Sequence, residues 1–119
     1  MAIDYVEINQ DKAVKVRITT VEGNSLTLDF KFYASGIAYN VAACTFIFTV
    51  TDNLLQKQKY QVTNSQWTRP AANEIKRVIN PFPLTDDTYK IDLTCTFPTG
   101  MIQTIIDGEL VIRERLIHI

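Results

Sequence analysis

The feature that most constrains this chain is alternation. In Leu26-Thr27-Leu28-Asp29-Phe30-Lys31-Phe32 every second residue is large and apolar, and those between are polar. Successive side chains on a strand point to opposite faces, so such a run offers one face to a core and the other to water. The pattern recurs over residues 14–19, over 44–50 with one exception at Ile47, and over 89–97. Weaker strand candidates are residues 3–8, 59–63, 74–79, 101–106 and 109–116. No segment keeps a helical apolar stripe long enough for a βαβ crossover. The best helical stretch, residues 69–79, opens with Pro70 and two alanines and predicts one short turn.

Turn residues separate the runs. Glu22-Gly23-Asn24-Ser25, Ala34-Ser35-Gly36, Pro98-Thr99-Gly100 and Asp107-Gly108 all tolerate a reversal, and the last is a favoured hairpin dipeptide. Pro81 and Pro83 lack the amide donor that a central strand needs. About eight short strands with frequent turns predict an all-β fold, a sandwich or a small barrel, of which an antiparallel immunoglobulin-like β-sandwich is the favoured reading. Shared parity on the strongest runs places Leu28, Phe30, Phe46, Phe48, Ile91, Leu93 and Phe97 in its core. Residues 84–89 have the pattern of a tyrosine corner, in which the Tyr89 hydroxyl bonds upstream backbone. The immunoglobulin disulfide does not follow, because the position two residues after that tyrosine is Ile91. With no linker, repeat or low-complexity stretch, residues 1–119 read as one domain.

Composition narrows function further. At 119 residues the chain can bury roughly two-thirds of its unfolded surface, so it needs neither a metal nor a disulfide as a staple. A formal net charge of -1 argues against nucleic acid as the main partner, since phosphate binding needs concentrated positive charge. No apolar run approaches the roughly 18 to 20 residues that cross a bilayer. Met1-Ala2-Ile3-Asp4-Tyr5 lacks the basic and apolar regions of a leader, so a soluble, unsecreted chain is expected. Cys44 shares parity with Phe46 and Phe48, and Cys95 with Leu93 and Phe97, which predicts small, inert core residues. A bridge between Cys44 and Cys95 stays open as an alternative.

Groups that could do chemistry are sparse. The only histidine, His118, is next to last, where precise geometry is hard to hold. Pairing it with Cys44 or Cys95 would need a thiol whose inward parity opposes substrate access. Asp86-Asp87 and Asp52-Asn53 could offer oxygens to calcium, but acids in turns commonly bond nearby backbone amides instead. The expectation is a protein that is not an enzyme and holds no metal or cofactor. Trp67, Arg69, Tyr39 and Tyr60 have no forced place in the core; they could stack on a glycan or anchor a protein interface, and Trp67 could equally cover one open end of the sandwich. More informative are apolar residues at positions one inward face does not require. Ile47, Met101, Ile105, Val111, Leu116, Ile117 and Ile119 predict a surface covered by copies of the chain or by a neighbour.

One resemblance is carried by two stretches. The first is Ser25-Leu26-Thr27-Leu28-Asp29-Phe30-Lys31-Phe32-Tyr33-Ala34-Ser35-Gly36, continuing to Val41, with the Phe46-Ile47-Phe48-Thr49-Val50 strand after it. The second is Tyr89-Lys90-Ile91-Asp92-Leu93, then Phe97-Pro98-Thr99-Gly100-Met101-Ile102-Gln103-Thr104-Ile105-Ile106-Asp107-Gly108-Glu109-Leu110-Val111-Ile112. Together they resemble small phage tail and baseplate domains, including the N-terminal domain of baseplate upper proteins. The resemblance departs at Asp87-Thr88, where related domains often have Pro-Gly, and near Val41-Ala42-Ala43, where they often have Leu-Thr-Gly. It implies a virion structural role in a tail, baseplate, head fibre or capsid decoration, through other virion proteins or copies of itself. It offers no catalytic residues to carry over; the expectation of no nucleic acid and no membrane partner rests on the net charge and on the lack of a spanning run. The first alternative is a carbohydrate-binding sandwich that uses Trp67, Tyr39 and Tyr60, and a small hydrolase is a distant third.

Overall fold

The computed structural model describes residues 2–8, 12–54 and 56–115. Among them the alternating runs become nine strands: β1 Ala2–Glu7, β2 Val14–Val21, β3 Leu26–Ala34, β4 Ile37–Ala38, β5 Thr45–Asp52, β6 Gln58–Val62, β7 Glu74–Ile79, β8 Asp87–Thr96 and β9 Ile102–Arg113. They form two sheets packed as a sandwich. Sheet A is built on β3, with β1 on one side; sheet B runs β2, β9, β8, β5, β6. On the other side of β3 lie β7 and β4, since the Phe32 amide donates to the Asn73 carbonyl and the Phe32 carbonyl accepts from the Tyr39 amide.

Most strand pairs are antiparallel, but β1 lies parallel to β3 and β2 parallel to β9. Both exceptions have one cause. The chain crosses from sheet A to sheet B after β1 and back after β2, so neither strand meets its partner through a hairpin. The turn at Glu22-Gly23-Asn24-Ser25 is accordingly a corner between sheets. The two-residue turn at Ser35-Gly36 is a hairpin, with φ of 51° and 76°, the positive pair that matches strand twist. Pro98-Thr99-Gly100 joins β8 to β9, closed by the Gly100 amide on the Phe97 carbonyl at 2.8 Å.

The core sits where parity puts it. Leu28, Phe30, Phe46, Phe48, Ile91, Leu93 and Phe97 are all buried. Phe32 stacks on Phe46 at 5.0 Å between ring centroids, and Phe30 meets Phe48 at 6.3 Å, so paired aromatics join the two sheets. The Tyr89 hydroxyl donates to the Thr85 carbonyl at 3.0 Å, making the tyrosine corner at the entry to β8. Two local expectations change. Residues 69–79 form no helix but one hydrogen-bonded turn, closed by the Glu74 amide on the Ala71 carbonyl at 3.2 Å; Glu74 to Ile79 pair with β3, and the short helix lies earlier, at Asn64–Gln66. Asp107-Gly108 is not a hairpin but the middle of β9, which runs unbroken through both late strand candidates as far as Arg113.

Candidate functional site

The length of β9 creates the most distinctive surface. In the ladder of β8 and β9, Leu93 faces Ile106 but Thr94 faces Thr104, leaving Ile105 as an extra residue. This bulge sends both Ile105 and Ile106 into the core, at 1% and 0% exposure. It also reverses the parity of β9, so that Ile102 and Thr104 face out before it and Asp107, Glu109 and Val111 face out after it.

The outer face of sheet B thereby divides into two halves. In one, Ile102, Thr96 and Thr45 form a cross-strand row, followed by a row of Thr104, Thr94 and Ile47. Neither row holds a charge, and Ile102 is 68% exposed. In the other half one row is Lys15, Asp107, Asp92 and Thr49, and the next is Arg17, Glu109, Lys90 and Thr51. Lys15 bonds Asp107, and Arg17 lies 3.6 Å from Glu109. Burial pushes the Asp92 carboxyl above its ordinary pKa; the Thr94 hydroxyl opposes this, and the charge of Asp107 adds to it.

The residues expected at an interface do not come together. Ile105 is in the core, a correction that follows from the bulge: one extra residue turns an outward parity inward. Val111 is half-buried between Thr19 and Thr88 on the charged half. Met101 is exposed at the rim of a cleft of about 440 Å³ at one end of the sandwich, lined by Ile8, Tyr39, Phe97 and Pro98 among others. Leu116, Ile117 and Ile119 lie outside the described residues, as does His118. Sequence reasoning missed Ile102 because it carried one parity through residues 101–106. The adjacent pair Ile105-Ile106, followed by charges at odd positions, is the signal of the shift.

The aromatic candidates also separate. Trp67 is buried, its indole nitrogen donating to the Phe46 carbonyl at 3.2 Å and its ring set edge-on to Phe30. Arg69 is a structural clamp. Its guanidinium donates to the carbonyls of Val41 and Cys44, each at 2.8 Å, and to Asn64 Oδ1, while lying over the Phe46 ring. Tyr39 packs edge-on to Phe97, and Tyr60 edge-on to Phe82. These four residues therefore do not form a shared platform for a glycan. An exposed aromatic is instead Tyr5, stacked at 4.4 Å on the half-buried Tyr33 on the outer face of sheet A, with the Tyr5 hydroxyl donating to Glu7.

Cys44 and Cys95 are free and buried. Burial, with the neighbouring Cys44 thiol, pushes Cys95 up to about 12, which disfavours the thiolate form. Asp52 accepts from the Leu54 amide and Asp87 from the Thr88 amide, the local bonds that acids in turns make. Among the described residues no three acidic, histidine or cysteine side chains converge as metal ligands.

The arrangement defines an all-β sandwich with a tyrosine corner and a divided outer sheet face. No protein family model matches the sequence, and no curated protein matches it. A solved structure shares the fold. The N-terminal domain of phage TP901-1 ORF48 superposes with a TM-score of 0.52 at 10% identity, over 95% of this chain and 99% of that domain. CopC from Methylosinus trichosporium OB3b gives a TM-score of 0.48 at 11% identity, over 90% of this chain and 91% of that one. The resemblance read from the sequence, to small phage tail and baseplate domains, is thus matched by a phage domain at the level of the fold.

Proposed function

We propose that this domain is a non-enzymatic structural component of a bacteriophage virion, in its tail or baseplate, acting through protein-protein assembly. Such a chain would be made in the cytoplasm of the host bacterium and retained in the finished particle. The observation that carries the reading is the end-to-end likeness in fold to a phage domain, which spans nearly all of both chains. The surface is consistent with it. The row that holds Ile102, 68% exposed, carries no charge, which leaves it open to cover by another surface.

Particle composition tests the proposal. Virions purified from a lysate in which the chain is expressed should contain it in fixed proportion to the other tail proteins, and an antibody to the domain should label the tail in negative stain. A chain abundant in the lysate but absent from purified particles would refute the virion role.

A further inference from the structure

We infer that the uncharged half of the outer face of sheet B is a contact between two copies of this chain, packed face to face about a two-fold axis. This deepens the assembly reading by naming a partner for one surface, and it rests on three observations. The first is charge. The rows of Ile102, Thr96, Thr45 and of Thr104, Thr94, Ile47 carry none, so a charged partner surface would lose its water here with nothing to pair it. A second copy of the same half-face brings none either.

The second observation is shape. The two isoleucines stand at diagonal corners of the patch, Ile102 on β9 in one row and Ile47 on β5 in the other, with threonines at the remaining positions. A two-fold axis across the strands sets Ile102 on the second copy's Thr104 and Ile47 on its Thr45, so each large side chain meets a small one, as interdigitating sheet faces require, and the charged halves are carried to opposite ends of the pair. The third is the boundary: past Thr94 the next row holds Asp92 and Asp107, and stacking that half on itself would bring like charges together.

Six side chains on each copy bury on the order of 600 to 800 Å² in total, less than the roughly 1,200 Å² of a standard stable interface. The pair is therefore weak in dilute solution and gains strength when many copies are held on one particle. Sedimentation of the full chain from about 10 µM to 1 mM tests this. The parent should self-associate in the upper part of that range. Ile102→Lys should weaken association at least tenfold with an unchanged melting temperature, and Ile37→Lys, at the 73% exposed residue on sheet A, should leave it as it is. A parent that stays monomeric throughout, or an Ile102→Lys variant that associates as the parent does, overturns the inference. If the parent is monomeric yet Ile102→Lys prevents incorporation into particles, the face belongs to another protein and the homotypic contact is refuted while the virion role stands. Association that responds to Ile102→Lys in a chain never found in particles supports the contact and removes the virion role.

Discussion

The two halves of the outer face of sheet B are made by the same three central strands, yet one carries threonine and isoleucine and the other a lattice of opposite charges. The composition changes at the β9 bulge. Before it, the outward positions of β9 are Ile102 and Thr104; after it they are Asp107, Glu109 and Val111. Only the charged half is flanked by β2, which begins its pairing at Ile106 and supplies Lys15 and Arg17 as counter-charges. The lesson is about edges. Where β2 covers β9, exposed ion pairs keep the face soluble at little gain in stability, each contributing about 0 to 1 kcal/mol. Where β2 is missing, nothing supplies charge, and the face is left suited to another surface.

The sharpest way to break this comparison is to place the same charge on either side of the bulge. Ile105→Lys puts an ammonium group at a position 1% exposed and should cost about 4 kcal/mol or more, enough to prevent folding of a marginally stable domain. Ile102→Lys, three residues earlier and facing water, should change stability by about 0.5 kcal/mol or less. Urea denaturation of both variants decides it; similar midpoints would mean that the parity reversal at Ile105 is wrong.

Gly108 links β9 to β2 by close approach. A Cβ there would sit 1.8 Å from the Val16 carbonyl oxygen, a backbone atom that cannot step aside without moving the strand. Gly108→Val should therefore cost about 3 kcal/mol, the upper part of the range for overpacking. Hydrogen exchange should speed up along β2 before it does in β5 or β8. Uniform loss of protection across the sheet would show that the charged half does not depend on that contact. A smaller effect is expected at the opposite edge of the sandwich. Arg69→Met keeps the apolar stem over Phe46 but takes the guanidinium donor from the Cys44 carbonyl and leaves the Val41 carbonyl with the Cys44 amide alone, at about 2 kcal/mol. A variant as stable as the parent would mean that water replaces the guanidinium there.

Much of this fold was legible in the sequence because alternation is a local property. Leu28, Phe30, Phe46, Phe48, Ile91, Leu93 and Phe97 could be assigned to the core from their neighbours alone. The Tyr89 corner could be read from a tyrosine at the start of a strong run. What could not be read depends on pairing between distant strands. The parallel placement of β1 and β2 is decided by which sheet each strand joins, and no residue within those strands records it. The bulge is set by the register of β9 against β8, so Ile105 looked outward and Ile102 escaped notice. Trp67 and Arg69 lie in a stretch without period, and their roles come from the carbonyls of Phe46, Val41 and Cys44, more than twenty residues upstream.

The finest distinction between the halves lies at their boundary, in the titration of Asp92. Its pKa is raised, burial first, with Asp107 opposite it on β9 adding repulsion; the Thr94 hydroxyl bonds it and pulls the other way, Thr49 faces it from β5, and Lys15 is engaged by Asp107. A carboxyl that holds its proton more firmly folded than unfolded favours folding while it is protonated. That contribution is fully present below the ordinary Asp value of 3.8, falls as the pH rises through the raised value, and is gone above it. At neutral pH the ionised Asp92 is thus a small liability that the charged half tolerates. Asp92→Asn keeps the acceptor for Thr94 and removes the charge, so it should raise the denaturation midpoint slightly at pH 7 and leave it level with the parent near pH 3. The difference should close between those limits as Asp92 gains its proton in the parent. A variant less stable than the parent at pH 7, or a difference that does not change with pH, would mean that Asp107 and Lys15 already balance the site, and that the boundary between the halves has no electrostatic cost.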